Sequence, residues 1–297
     1  MLKNYQHALN RGFLKENILF SKKNKAKYLF EVTKMGFKEV TSRQNHFVKY
    51  MLTLKDKKTR DREKTCLVEG LKILFDLAEK QYPIRMFFTT SEMLKKYPKE
   101  TEKIGMRSSY NFVTDESIIK ALSTTETTGG FIAAVETPYI NPLMYEYENE
   151  GFYICADNIQ DPGNVGNIFR TASAFELSGV ILYKHCADPF GPKAIRGSVG
   201  QSLILPAIQI DELDLLNDMK KNGYKIYVTE SEGNISLDKF KFPKSTCIIF
   251  GNEGKGISKE LKDIADGIIK IPISKNTESL NVSTSVSIIS WEYFKKR

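Results

Sequence analysis

From residue 151 onward, short apolar runs alternate with amphipathic stretches almost without a break, and this alternation constrains the fold more than any other feature. Residues 152–157 read as a strand, 164–177 as a helix, 179–184 as a strand, 192–200 as a short helix and 203–210 as a strand. The pattern continues with a helix over 211–223, strands over 224–230 and 245–251, a helix over 258–265, a strand over 267–273 and a closing helix over 279–297. Strands that alternate with helices build a mostly parallel sheet covered on both faces, and ligands then bind beyond the carboxyl ends of the strands.

A chain of 297 residues has room for a second, smaller unit. Residues 41–136 supply one: a basic helix over 41–64, a strand over 66–70, and a helix with Leu71, Leu74, Phe75 and Ala78 on one face. Strands over 84–90, 111–114 and 130–136 follow, separated by a helix over 91–97 and a capped helix over 115–123. Two prolines and a run of acids and tyrosines mark 137–150 as the linker.

Charge separates the two parts. Residues 1–140 carry net +10 and residues 141–297 net −2, so the front is suited to a polyanion such as RNA. Residues 1–40 hold nine Lys or Arg against three Glu, with no acid in the first fifteen, and read either as a transit peptide or as a basic arm that touches RNA. No run of eighteen apolar residues exists to span a bilayer. Cys66, Cys155, Cys186 and Cys247 are too widely spaced for a metal site and read as reduced thiols, three of them (Cys155, Cys186 and Cys247) inside strand-like runs.

Three loops at strand ends hold nearly all the unusual residues. The first, residues 157–167, combines glycines and asparagines ahead of a helix bearing Arg170. It reads as an anion-binding helix entrance or as a Gly/Pro turn with a solvated arginine. The second, 250–257, has glycines at 251, 254 and 256, a spacing that fits neither the dinucleotide fingerprint nor the Walker loop. In the third, 271–281, Pro272 ends a strand and Ser279 stands where a helix cap is expected. Asn281 precedes the small face of Ser283, Ser285 and Ser287, which points to close packing or to a partner surface.

Taken together, the loops closely resemble the three signature motifs of the SpoU/TrmH family of RNA ribose 2′-O-methyltransferases, within the SPOUT superfamily. The motifs stand as Asn158-x-x-Asp161-Pro162-x-Asn164-x-Gly166-x-x-x-Arg170, as Gly251-Asn252-Glu253-Gly254-x-Gly256, and as Ile271-Pro272-Ile273 followed by Glu278-Ser279-Leu280-Asn281-Val282. The segment from Asp188 to Gly200 also looks like the family, and residues 41–136 are similar to its small substrate-binding domain. Lys275-Asn276 stands where the family has a glycine pair, a change expected to alter the loop that closes over the cofactor.

The resemblance implies an α/β fold: a C-terminal trefoil-knotted SPOUT methyltransferase domain with a parallel sheet over 151–297, preceded by a small α/β substrate-binding domain. It also implies S-adenosylmethionine held by the backbones of Gly251, Ile271 and Leu280, and a homodimer formed through the last helix. Arg170 is the family's catalytic arginine, with Asn164, Glu253, Ser279 and Asn281 positioned around it and Glu253 the alternative base. The expected reaction is methylation of a ribose 2′-hydroxyl in ribosomal RNA, with no metal and no membrane. The alternatives are a transfer RNA 2′-O-methyltransferase and a non-catalytic knotted assembly factor. The basic leader makes the mitochondrion the expected compartment, with the cytoplasm as alternative.

Overall fold

The computed structural model describes residues 36–297 apart from Thr127, Tyr139 and Lys275. Residues 1–35 of the basic leader, and Lys275 of the departing glycine pair, therefore lie outside the described residues. By its contacts the chain divides into Met1–Lys38 and Glu39–Arg297, and the second unit contains both parts read from the sequence.

The front part is built on a five-stranded sheet of β1 (Phe37–Val40), β2 (Thr65–Glu69), β3 (Ile84–Thr90), β4 (Ser108–Thr114) and β5 (Phe131–Glu136), in the order β1-β4-β3-β5-β2. β3 runs parallel to β4 and antiparallel to β5, which in turn runs antiparallel to β2. The expected single basic helix is two, α1 (His46–Thr53) and α2 (Lys57–Glu63). Asp56 causes the break, because its carboxylate accepts from Thr59 N at 2.9 Å and starts a new helix. α3 (Leu71–Glu79), α4 (Ser91–Lys96), α5 (Pro98–Gly105) and α6 (Glu116–Leu122) complete the unit. Of these, α5 was not read from the sequence. Asp115 stands at the N-cap of α6 but makes no side-chain capping bond.

The second part is a seven-stranded, wholly parallel sheet. Its strands are β6 (Phe152–Asp157), β7 (Gly179–Tyr183), β8 (Ala207–Ile210), β9 (Lys225–Thr229), β10 (Ile235–Ser236), β11 (Thr246–Phe250) and β12 (Gly267–Lys270), in the order β10-β12-β9-β11-β6-β7-β8. The central strands β6 and β11 are buried along their whole length, as their apolar sequences require. One face carries α7 (Pro162–Ala174) and α11 (Val282–Lys296), packed through Val165, Ile168, Phe169, Val286 and Ile289. The other carries α9 (Asp214–Lys221) and α10 (Lys259–Asp263), packed through Leu215, Leu216, Met219 and Leu261. Each such fully buried side chain contributes about 1.5–3 kcal/mol.

Several details differ from the sequence reading. Of the expected strand over 203–210 only β8 pairs, because Leu203 closes a 3₁₀ turn that begins at Gln201. Cys186 lies in the loop after β7, where its Sγ stands 3.2 Å from the carbonyl of Ala156 and 3.3 Å from Ile159 N. Burial pushes the thiols of Cys247 and Cys186 up, to about 12 and about 11. The linker's Ile140, Tyr145 and Tyr147 pack on the second part, with Tyr147 Oη donating to Asp218 at 2.6 Å and Tyr224 Oη to the carbonyl of Glu148 at 2.6 Å. Gly166, in the loop read as an anion-binding helix entrance, serves a helix crossing. A Cβ there would stand 2.6 Å from the carbonyl oxygen of Ala194 in α8 (Pro192–Gly197) and 3.0 Å from Gly197 Cα.

Gly166→Ala therefore forces α7 and α8 apart and is expected to cost about 1–3 kcal/mol in denaturant unfolding. Gly129→Ala, at an exposed position with nothing within 4 Å, is expected to stay within about 0.5 kcal/mol. Equal stabilities for the two variants would contradict this role for the crossing.

Candidate active site

Because β6, β9, β11 and β12 are parallel and in near register, their carboxyl ends share one edge, and the loops that follow them emerge together. Successive strands also leave β9 toward opposite sides, β11 toward β6 and β12 toward β10, which opens a crevice between their loops. A cleft of about 390 Å³ occupies it, within the usual range of small-molecule sites.

Gly251, Ile271 and Leu280, named from the sequence as cofactor-holding, all line this cleft, as do Glu253 and Ser279. Gly251 has no alternative residue: a Cβ would stand 2.5 Å from the Gly256 backbone, where Asn252 and Gly256 exchange hydrogen bonds of 3.1 and 2.8 Å. Asn252 organises the loop. Its Oδ1 accepts from Gly254 N at 2.9 Å and Lys255 N at 3.1 Å, and its Nδ2 donates to the carbonyl of Asn158 at 3.0 Å, tying the second loop to the first.

The third loop joins through Asn281. Its Nδ2 donates to Glu253 Oε1 at 2.7 Å and to Asn164 Oδ1 at 3.2 Å, and Asn164 Nδ2 reaches the same Glu253 oxygen at 3.4 Å. Val282 N also approaches that oxygen, at 3.3 Å. Asn281, not Ser279, caps the last helix: its Oδ1 accepts from Ser283 N at 2.9 Å and Ser283 Oγ at 2.6 Å, and the helix begins at Val282. A side-chain amide has both an acceptor and a donor end, so one residue can cap and bridge together, while a serine at 279 is two residues too early to cap. Ser279 is thereby left to line the cleft.

The structure brings Asn164, Glu253 and Asn281 into one network and leaves Arg170 outside it. Arg170 is exposed on α7, six residues beyond Asn164 and so about 9 Å further along the helix. Its guanidinium makes no hydrogen bond or ion pair among the described residues. α7 itself starts at Asp161, which accepts from Asn164 N at 2.9 Å and pairs with Lys193 at 2.8 Å. The Lys193 ammonium first, and the Asn164 amide second, hold the Asp161 carboxyl below its usual value.

Two groups escaped the sequence reading. Asp157 at the end of β6 accepts from Ser258 N at 2.6 Å and Ser258 Oγ at 2.9 Å, anchoring the start of α10. Its place at a strand terminus facing another loop was the only clue. Glu230, paired with Lys262, and Glu232 follow β9 and line the cleft with Glu278, and no motif marked the first two. Among the described residues no group of three or more His, Cys, Asp or Glu could hold a metal ion.

A parallel sheet with a cleft at its carboxyl edge, built from three interlocked loops, defines a ligand-binding α/β domain. Residues 151–291 match the SpoU rRNA Methylase family, and residues 45–133 match an MRM3-like substrate binding domain. The chain is 31% identical over 174 residues to a putative TrmH family tRNA/rRNA methyltransferase of Staphylococcus aureus, covering 56% of this chain and 70% of that one. It is 26% identical to the 23S rRNA (guanosine(2553)-2′-O)-methyltransferase RlmP of Bacillus subtilis, over 85% of this chain and 97% of the relative. The crystal structure of an AdoMet-bound rRNA methyltransferase from Sinorhizobium meliloti superposes with a TM-score of 0.77 at 26% identity, covering 87% of this chain and 98% of that one. The chain belongs to the SpoU/TrmH family.

Asp161→Ala removes the helix cap and is expected to cost about 0.5–2 kcal/mol in urea unfolding. Because the folded-state carboxyl is depressed, this contribution is present above the unfolded value of about 3.9 and is lost as pH falls through the folded value. The gap between wild type and variant should therefore hold from pH 7 to 5 and shrink below about pH 4; a gap that persists at pH 2 would contradict it.

Proposed function

We propose that this chain transfers a methyl group from S-adenosylmethionine to a ribose 2′-hydroxyl of ribosomal RNA. The observation that carries the proposal is the convergence of three motif loops on one cleft, with Gly251, Ile271 and Leu280 along its wall and the Asn164–Glu253–Asn281 network beside it. The cleft suits that cofactor chemically. Its lining is apolar at Ile269, Ile271 and Val282, matching an adenine face, and carries the carboxylates of Glu232 and Glu278, matching the sulfonium and ammonium charges. The AdoMet-bound relative supports the same choice. Ribosomal RNA is favoured over transfer RNA by the family description, the match of residues 45–133 to a substrate-binding domain, and the RNA named for RlmP.

The cofactor supplies a methyl group already activated on a sulfonium, so the protein's task is to align the hydroxyl and remove its proton. Arg170, with its guanidinium exposed and unpaired among the described residues, is the group for the substrate phosphate and for charge developing on the ribose oxygen. Glu253 holds Asn281 and Asn164 with Oε1. Its Oε2, without a hydrogen bond among the described residues, is the acceptor for the hydroxyl proton. Ser279 lines the cleft and adds a hydroxyl beside these groups.

A homodimer through the last helix belongs to the same reading. Trp291 and Phe294, 52% and 39% exposed, stand with Phe175 as an aromatic patch on α11 and the end of α7. Light scattering that gives the mass of one chain would remove it. A trefoil knot is proposed too, supported by the return of the chain after β12 to tie Asn281 to Glu253 and to pack α11 on α7. The mitochondrial compartment rests on the basic leader alone, and cell fractionation tests it.

Arg170→Ala is expected to lower the methyl-transfer rate by at least about 100-fold. S-adenosylmethionine binding, read by titration calorimetry, should stay within about twofold, since the residue does not line the cleft. Near wild-type transfer by the variant would remove Arg170 from catalysis.

A further inference from the structure

The front unit is joined to the methyl-transfer unit by more than residues 137–150. Arg60 of α2 reaches across to Asp188 in the segment between β7 and α8. Its Nη2 and Nε stand 2.6 and 3.2 Å from one carboxylate oxygen, with the two side chains only 7% and 12% exposed. Nη1 donates to the carbonyls of Leu54 and Lys55 at 3.1 and 2.8 Å, so the guanidinium is fixed from its own side as well. The other Asp188 oxygen accepts from Phe190 N at 2.8 Å.

A second bridge lies beyond that segment, in α8. Arg196 Nη1 donates to Thr124 Oγ1 at 2.7 Å and lies 3.6 Å from Glu69 Oε1. Glu69 is itself held by Ser123 Oγ at 2.6 Å and Thr124 N at 2.9 Å. Between them Ile73 of α3 seats on Gly200, where a Cβ would stand 2.7 Å from its methyl group. The receiving surface is the back of the catalytic elements: α8 packs on α7 at Gly166, and Lys193 pairs with Asp161 at the start of the helix that carries Asn164 and Arg170.

We infer that Arg60 and Arg196 form a two-point clamp that fixes the front unit at one orientation and distance from the cleft, making both positioning residues for the RNA. The inference rests on the methyl-transfer reading and deepens it. The Arg60–Asp188 pair is buried between the units, and a buried ion pair tolerates only the geometry that keeps both charges satisfied. Tyr147 and Glu148 hold the end of the linker to the second part, so without the clamp only the stretch before them would connect the units, and a free chain of about ten residues spans roughly 17 Å. With the clamp closed, RNA gripped by the basic front unit reaches the cleft only if its own fold spans a fixed separation, so the substrate class is a folded RNA rather than a short linear strand.

The test uses the full chain labelled at Ser109→Cys and Lys221→Cys, one exposed site in each unit, for a spin-label distance distribution. In parallel, methyl transfer to in vitro transcribed large-subunit ribosomal RNA and S-adenosylmethionine binding are measured. Wild type, with labelled chain diluted into unlabelled chain, is expected to give one narrow distance within the chain. R60A/R196A should broaden it and lower the turnover rate at least tenfold, with cofactor affinity unchanged within twofold. R196A alone, at a side chain one-third exposed, should give an intermediate broadening and loss. Distances that stay narrow in both variants, or a broadened chain that methylates at the wild-type rate, overturn the clamp. Narrow wild-type and broadened variant distances, with no transfer to RNA even by wild type, keep the clamp as a domain-holding device and remove the methyl-transfer reading instead.

Discussion

The site depends on the two ends of one side chain. The carbonyl of Asn281 starts the last helix, while its amide draws Glu253 of the second loop and Asn164 of the first into one network. Without that bridge the third loop would meet the other two only through Val282 N at Glu253. The bridge works because parallel strands deliver all three loops to the same edge, and because Asn252 closes the second loop on itself and binds it to the carbonyl of Asn158. Neighbouring asparagines thus divide the labour between shaping a loop and joining loops.

Much of this was legible in the sequence because the signals were local. Strands β6, β7, β9 and β11 stand where unbroken apolar runs met turn residues, and the parallel order followed from helices lying between them. The motif residues Gly251, Ile271, Leu280, Glu253 and Ser279 were read from spacing and resemblance, and the cleft collects them all. What was not legible depends on contacts distant in sequence. Ser279 looked like a cap because hydroxyls cap helices, but the residue in place was Asn281, whose amide was needed elsewhere. Gly166 stood in a loop read as an anion-binding helix entrance, and only the approach of Ala194 and Gly197 reveals the helix crossing it permits. Glu230 and Glu232 carried no pattern, since their place on the cleft appears only once β9 and β12 are neighbours.

The same logic extends to the front unit. Its basic character was plain from charge counts, but its fixed placement was not, because Arg60 and Asp188 are 128 residues apart and nothing local in the sequence pairs them. The chain uses its buried charges to set the geometry between units, while the cleft wall relies on backbone and apolar side chains. Binding, alignment and substrate delivery are thereby carried by different interactions, and each can be perturbed without dismantling the others.

The most direct measurement incubates the full chain with methyl-labelled S-adenosylmethionine and separate pools of large-subunit, small-subunit and transfer RNA, then maps the modified nucleosides by mass spectrometry. The account predicts a single 2′-O-methylated nucleoside in a ribosomal pool. Label confined to transfer RNA, carried on a base rather than a ribose, or absent from every pool would contradict it.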